Sequence, residues 1–253
     1  MAYPRALRPL IVAGSALAIV LVTAGVALAA PPAKLPGNAE AAEQKWQPAY
    51  DYDTDGCYPT PAIGPTGTLN GGLKPTGALN GQCRDQSDLD NTNGYARYKC
   101  NNGWCAYAYA LYFEKDQLVA NIESGHRHDW EHVVVWVQND QAQYVSTSAH
   151  GAFTVHASSA VRWEGTHPKI VYHKDGAGSH AFRLGNANDE PAENHYHVWQ
   201  YPTLVGWNGY PAGIRDILSA ADFGSALFDL KDTRYNAMLA RAQPSGIPFN
   251  PAA

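Results

Sequence analysis

The chain has 253 residues, of which 45% are hydrophobic and 16% charged, and its net charge is −5. That is length for one globular domain, and the lack of any block of Lys and Arg excludes a phosphate-binding footprint for nucleic acid. Fifteen tyrosines and seven tryptophans beside 23 glycines and 17 prolines favour strands and turns over helices.

In chain order, the first feature is a processing signal. Arg5 and Arg8 precede an apolar run over residues 10–27, and Ala27-Leu28-Ala29 supplies a small-x-small cleavage site. Residues 1–29 are therefore expected to be a signal peptide, against the rival reading of an uncleaved anchor, for which the apolar run is long enough. No second hydrophobic span follows, so the mature chain is expected to be secreted and extracellular, with no permanent transmembrane segment. Residues 30–50 read as a loosely held, Pro/Ala-rich lead-in, and residues 51–253 as the domain. Asp51, Asp53 and Asp55 open a D-x-D-x-D-G pattern like the start of an EF-hand calcium loop, but Ala62 stands where the bidentate Glu belongs. A second calcium site completed by other ligands competes here with an Asx-rich turn.

Cys57, Cys83, Cys100 and Cys105 all follow the signal, and an even count in an exported chain implies two disulfides. Of three pairings, the sequence-local Cys57–Cys83 and Cys100–Cys105 are favoured; a zinc site would need closer pairs such as C-x2-C. Residues 51–99 read as loop-rich structure. Within them, residues 65–71 (P-T-G-T-L-N-G) recur as residues 75–81 (P-T-G-A-L-N-G), which predicts two similar turns.

Strand patterns follow. Residues 104–113 alternate aromatic and small side chains, as a half-buried strand would. Residues 132–137 (H-V-V-V-W-V) are β-branched on both faces, as in a central strand covered on both sides. Shorter strands are expected at 143–147, 153–156, 169–173, 181–184 and 197–201, and helices at 213–218 and 234–241. Many short strands with few helices argue for a single-domain β-sandwich, mainly β.

The densest polar cluster runs G-H-R-H-D-W-E-H over residues 125–132. Strand alternation sends Asp129 and Glu131 one way, and His128, Trp130 and His132 the other. His126 joins the carboxylates only if the chain turns at Gly125. Two carboxylates side by side repel unless a cation lies between them. Hard oxygen ligands suit Mg²⁺ or Ca²⁺, and imidazole tilts towards Zn²⁺ or Mn²⁺. The rival reading is a salt-bridged cluster compensated by Arg127 or histidines.

G-H-R-H-D-W-E, residues 125–131, resembles the signature heptapeptide of the necrosis-inducing protein family, secreted cytolysins of plant-associated microbes. D-x-D-G-C-Y (53–58), G-A-L-N-G (77–81), C-R-D (83–85), residues 93–100, C-N-N-G-W-C (100–105), H-V-V-V-W (132–136) and S-A-A-D-F-G (219–224) also look like family segments. The likeness covers about residues 45–235, and four cysteines make the chain similar to the family's second type. The resemblance implies a β-sandwich with peripheral helices, similar to actinoporins and some lectins, with a divalent-cation site lined by His126, Asp129 and Glu131 at one end. Asp116 maps to a further ligand, with Glu123 as the alternative. His180, in S-H-A-F-R (179–183), resembles a histidine near that site; with His128 and Arg127 it would touch the headgroup or back the ligands.

The implied function is target binding without turnover: recognition of glycosylated sphingolipid headgroups in plant plasma membranes, then bilayer damage, by a protein monomeric in solution. Trp163, Trp207 and Tyr210 are candidates for the membrane interface, against the plainer reading of core aromatics. Two other classes compete. One is a secreted metalloenzyme, a carbohydrate-active hydrolase or lyase using the paired acids; zincin and G-x-S-x-G patterns are absent. The other is a non-toxic sugar-binding lectin.

Overall fold

The computed structural model describes Met1 and residues 30–253, so the expected signal peptide lies outside the described residues. In chain order the elements are α1 (Ala41–Trp46), β1 (Ala49–Tyr52), α2 (Gln86–Asp90), β2 (Asn93–Asn101), β3 (Trp104–Gln117), β4 (Gly125–Gln138), β5 (Gln141–Ala149), β6 (Ala152–Ala157), β7 (Trp163–Glu164), β8 (His167–Lys174), β9 (His180–Leu184), β10 (Thr203–Gly206), α3 (Ile214–Ala220) and α4 (Asp232–Ala242). A six-stranded sheet runs β10-β2-β3-β4-β5-β6; in a second sheet β8 pairs with β1, β7 and β9. Among the described strands, β1–β8 and β10–β2 pair parallel and the other pairs are antiparallel. The two sheets form a β-sandwich.

β3 and β4 organise the interior. Their odd-numbered residues, such as Tyr109, Phe113, Val133 and Val135, pack against Tyr50, Ile170, Tyr172 and Phe182 of the second sheet. Their even-numbered residues, such as Ala108, Trp130, Val134 and Trp136, pack against Ile214 and Leu218 of α3 and Met238 and Leu239 of α4. The large sheet is thus covered on both faces. This corrects the half-buried reading of 104–113: nearly every residue of β3 is buried. Its alternation separates large from small side chains. The alanines leave room for the tryptophans and helices on their face.

Further corrections concern loose or irregular segments. Residues 30–50 belong to the fold: Leu35 and Trp46 are buried, Leu35 N–H donates to Asn93 Oδ1 at 2.7 Å, and Asn38 exchanges backbone hydrogen bonds with Leu204 and Gly206. The packed domain therefore starts before residue 51. Residues 93–99, the end of the stretch read as loop-rich, fall within β2, and β10 replaces the strand expected at 197–201, where an isolated Gln200–Tyr50 bridge occurs. Both disulfides pair as expected. The echoed segments are two turns, with Gly67 and Gly77 both at positive φ.

Candidate metal centre and ligand cavity

The cluster at residues 125–131 forms the beginning of β4, antiparallel to the end of β3, with Asp116 opposite His126 and Phe113 opposite Asp129. Regular alternation would send His126 and Asp129, three residues apart, to opposite faces. The alternation breaks at His128, whose φ is +62°, a left-handed conformation uncommon outside glycine. β3 breaks at the same level. There Glu114 gives its carbonyl to Leu73 N–H, so Phe113 stacks on Tyr172 while Asp116, also three residues on, reaches His180 on the same side. Asp116, His126 and Asp129 each consequently bring one ligand atom within 4.8 Å of the others. Gly125 is required for a different reason: its φ is +85°, and a Cβ there would lie 2.1 Å from the Asp116 carbonyl oxygen. The turn that the sequence placed at Gly125 is thus completed at His128.

Each side chain is held from behind. Asp116 accepts from the His180 backbone N–H at 2.9 Å and contacts His180 Nδ1 at 2.7 Å. Asp129 accepts from Tyr172 Oη at 2.9 Å and from the Trp130 N–H at 2.9 Å. His126 turns Nδ1 to the His128 carbonyl at 2.6 Å, leaving Nε2 3.8 Å from Asp116 Oδ2. Glu131 lies on the same side as Asp129, as expected, but its carboxylate is engaged by the Ser148 hydroxyl. It lines the cavity beside the three-residue group, outside the 4.8 Å that Asp116, His126 and Asp129 share.

The charges are unbalanced in a way that suits a cation. Burial raises Asp129 to about 7, and the Asp116 charge adds to this. Burial and Asp129 push Glu131 well above the usual carboxylate range. Burial opposes ionisation of Asp116 too, but hydrogen bonds and charge from His180 more than offset it and hold Asp116 low. For His180, burial works against the charge and the Asp116 and Asp55 carboxylates overcome it, raising it to about 9. Ligand atoms sharing one cation at roughly 2.0–2.6 Å lie at most about 5 Å apart. The 4.8 Å grouping of two carboxylates and one imidazole fits that requirement.

Several expected site residues stand elsewhere. Arg127 donates to the Gly71 and Gly72 carbonyls, and His128 contacts Tyr112 Oη at 2.6 Å; neither lines the cavity. His180 is buried behind Asp116, which it contacts through Nδ1. Glu123, the alternative to Asp116, pairs with Lys74 on the surface. The Asp51–Asp53–Asp55 pattern does not converge: buried Asp51 accepts from Glu193 and Asn194, Asp53 pairs with Arg183, and Asp55 faces His180. Trp163, Trp207 and Tyr210 are half-buried against the cores. An exposed aliphatic pair, Val119 and Ile122, 49% and 59% exposed, stands on the loop joining β3 to β4, and Leu227 is exposed at the cavity itself. The carbonyls of the pair are satisfied within the loop: Gln117 Nε2 and Ser124 Oγ both donate to Val119 O and Ile122 O.

The group opens into a cavity of about 470 Å³. It lies where β4 and β5 part beyond Val133↔Thr147, the His132 N–H turning to Ser148 Oγ at 2.6 Å. Ser148, His150, Asp229, Arg234 and Arg241 also line it. Sequence reasoning did not single these out. The one available signal was the seven-residue spacing of the two arginines on a predicted helix, which puts them on one face.

Among the described residues, no helix is long and apolar enough to cross a membrane. The family model "Necrosis inducing protein (NPP1)" matches residues 40–242. NLP effector protein 10 of Phytophthora capsici is 34% identical over 195 residues, 75% of this chain and 77% of that protein. Three solved structures share the fold. The Necrosis and Ethylene inducing Protein 2 from the causal agent of cocoa's Witches Broom disease is 32% identical, covers 84% of this chain and 95% of its own, and has a TM-score of 0.72. NLPPya in complex with mannosamine is 28% identical, with coverages of 85% and 97% and a TM-score of 0.72. The non-toxic HaNLP3 protein is 26% identical, with coverages of 85% and 99% and a TM-score of 0.72.

Proposed function

The chain belongs to the necrosis-inducing protein family, and from that membership we propose that it is a secreted, cation-dependent cytolysin. Its target is the sugar headgroup of glycosylated sphingolipids in plant plasma membranes, and it acts by damaging the bilayer without chemical turnover. The observation that carries this reading is the convergence of Asp116, His126 and Asp129 at the mouth of a cavity. The amino-sugar complex of NLPPya supports a sugar as the occupant.

Asp116, His126 and Asp129 would hold the cation, Mg²⁺ or Ca²⁺, with Glu131 reaching it directly or through water. A bound dication neutralises the carboxylates and offers open positions to sugar hydroxyls. His180 and Tyr172 fix the carboxylates, and Ser148 fixes Glu131. Val119 and Ile122 rise from the loop between Gln117 and Gly125, the residues next to Asp116 and His126, so a bilayer beneath a bound headgroup meets apolar side chains with no unpaired carbonyl of their own. Since a non-toxic relative has the same fold, activity must be decided by site and loops.

Dye release from vesicles with and without plant glycosylated sphingolipid tests the proposal. Asp116→Ala or Asp129→Ala should weaken cation affinity and leakage together, with the fold retained. Chelation should do the same, reversed by added cation. Wild-type leakage by either folded variant, or by metal-free protein, would overturn the reading. Leakage without the sphingolipid would overturn the choice of target, and sugar binding without leakage would favour the lectin alternative.

A further inference from the structure

A second cavity, of about 510 Å³, lies where the N-terminal segment and α1 meet β10. β8 separates it from the cation site. The His167 ring at the start of β8 packs edge-on against Tyr201 of this cavity, with ring centroids 5.0 Å apart. Lys174 at the end of β8 pairs with His180, behind Asp116. Eight extended residues put the two cavities about 20 Å apart. Three amides line the second one. Asn38 Nδ2 donates to the Gly209 carbonyl at 3.0 Å, Gln44 Nε2 to the Ala39 carbonyl at 2.8 Å, and Gln47 Nε2 to the Pro202 carbonyl at 2.8 Å. A carbonyl only accepts, so each contact fixes which end of its amide is oxygen. Among the described residues no donor meets Asn38 Oδ1, Gln44 Oε1 or Gln47 Oε1. Gln47 is 8% exposed, and its Oε1 keeps access to solvent. Tyr201 is 41% exposed and its hydroxyl donates to Glu164 at 2.7 Å, so what it offers the cavity is its ring. Among the described residues no positively charged side chain lines the cavity. Acids flank it: Glu40 and Glu43 are the chain neighbours of Ala39 and Gln44, and Glu164 holds Tyr201. The lysines of this region are engaged elsewhere, Lys45 with Asp140 and Lys169 with Glu190.

We propose that this cavity is a separate binding site for a small aliphatic amine in its protonated form. An ammonium group carries three donors and no acceptor, which answers amide oxygens held open by their own nitrogens. The face of the Tyr201 ring attracts the same charge, and the flanking carboxylates add to it without a cation of the protein to cancel them. Leu204, on the cavity wall, takes the methylenes. A volume of about 510 Å³ is in the range of small-molecule sites. The amides are anchored before the ligand arrives, so little ordering is left to binding. A neutral alcohol of the same shape would gain the apolar contact and one hydrogen bond but nothing from the ring or the acids, and a carboxylate would be repelled. The site uses no group of the cation centre and stands whether or not that centre binds metal.

The test is NMR titration of the mature protein in Mg²⁺ with n-butylammonium, 1-butanol and butyrate, following the Tyr201 ring and the glutamine side-chain amides. Butylammonium should bind about ten-fold more tightly than 1-butanol, and butyrate more weakly than either. Y201A and Q44K should each lower butylammonium affinity about ten-fold, and Q44E should raise it, because a carboxylate then replaces an amide oxygen. Tyr201 and Gln44 are both exposed, so the fold should tolerate these changes; thermal unfolding checks this, and if Y201A is not folded the opposite effects of Q44K and Q44E decide. In Asp129→Ala the affinity and the shifted signals should be those of wild type. Equal affinities for butylammonium and 1-butanol, wild-type affinity in the folded Y201A and Q44K proteins, or loss of binding in Asp129→Ala, which would place the amine in the cation cavity, overturn the proposal.

Discussion

Two backbone conformations assemble the candidate metal centre. His128 at φ +62° turns His126 to the side of Asp129, and Gly125 at φ +85° lets β4 pass against the Asp116 carbonyl. Gly125→Ala combines a disfavoured φ with a direct backbone clash, so β3 and β4 must part at their open ends. The expected cost is about 1–3 kcal/mol of stability, with a larger loss of cation affinity. Thermal unfolding and metal titration measure the two. A variant with wild-type cation affinity would show that the close approach of the strands is not what sets the site.

At the level of elements, the N-terminal segment and the loop joining β3 to β4 have distinct tasks. Residues 30–50 close the sandwich, because Leu35 is buried beside Asn93 and Trp46 fills the inter-sheet core. Leu35→Ala should therefore destabilise by about 2–5 kcal/mol, read as a shift of the denaturation midpoint; a surface-like change below about 0.5 kcal/mol would refute the packing role. The loop carries its apolar pair outward on a backbone braced by Gln117 and Ser124. V119S/I122S should leave soluble-sugar binding and thermal stability near wild type but weaken vesicle partition about ten-fold, in line with the loss of aliphatic area. Unchanged partition in a flotation assay would remove the loop from the membrane contact.

At the scale of the whole molecule, stability and activity rest on different groups. The core of β3 and β4 and the Cys57–Cys83 bridge hold the fold, the bridge by about 3–4 kcal/mol in the chain-entropy picture. Reduction should loosen residues 57–105 before the strands at 132–137, as amide exchange would show. Intact mass should rise by four hydrogens, and no thiol should titrate in unreduced protein. Chelation should instead abolish leakage with little loss of fold. The proposal without turnover also predicts no cleavage of polysaccharide, glycoside, ester or peptide bonds. Cation-dependent cleavage lost on changing Glu131 would establish the enzyme alternative.

The sequence by itself determined features whose causes are local. Valines on both faces of residues 132–137 specify a strand buried on both sides, the cysteines pair in chain order, 26 and 5 residues apart, and the heptapeptide marks the site and the family. Asp129 was legible for the same reason, as part of one contiguous cluster. Tertiary structure decided whatever depends on partners distant in the chain. Asp116 is joined to the site by His180, 64 residues away. Glu131 is drawn off by Ser148, and the Asp51–Asp55 carboxylates are claimed separately by Asn194, Arg183 and His180. The lead-in gave no periodic signal, yet Asn93, 58 residues on, anchors it. The break of alternation at His128 left no trace either: histidine tolerates a left-handed backbone better than most residues, but nothing local demands it at this position, and the register of β3 against β4, with Tyr112 receiving the displaced ring, is what selects it.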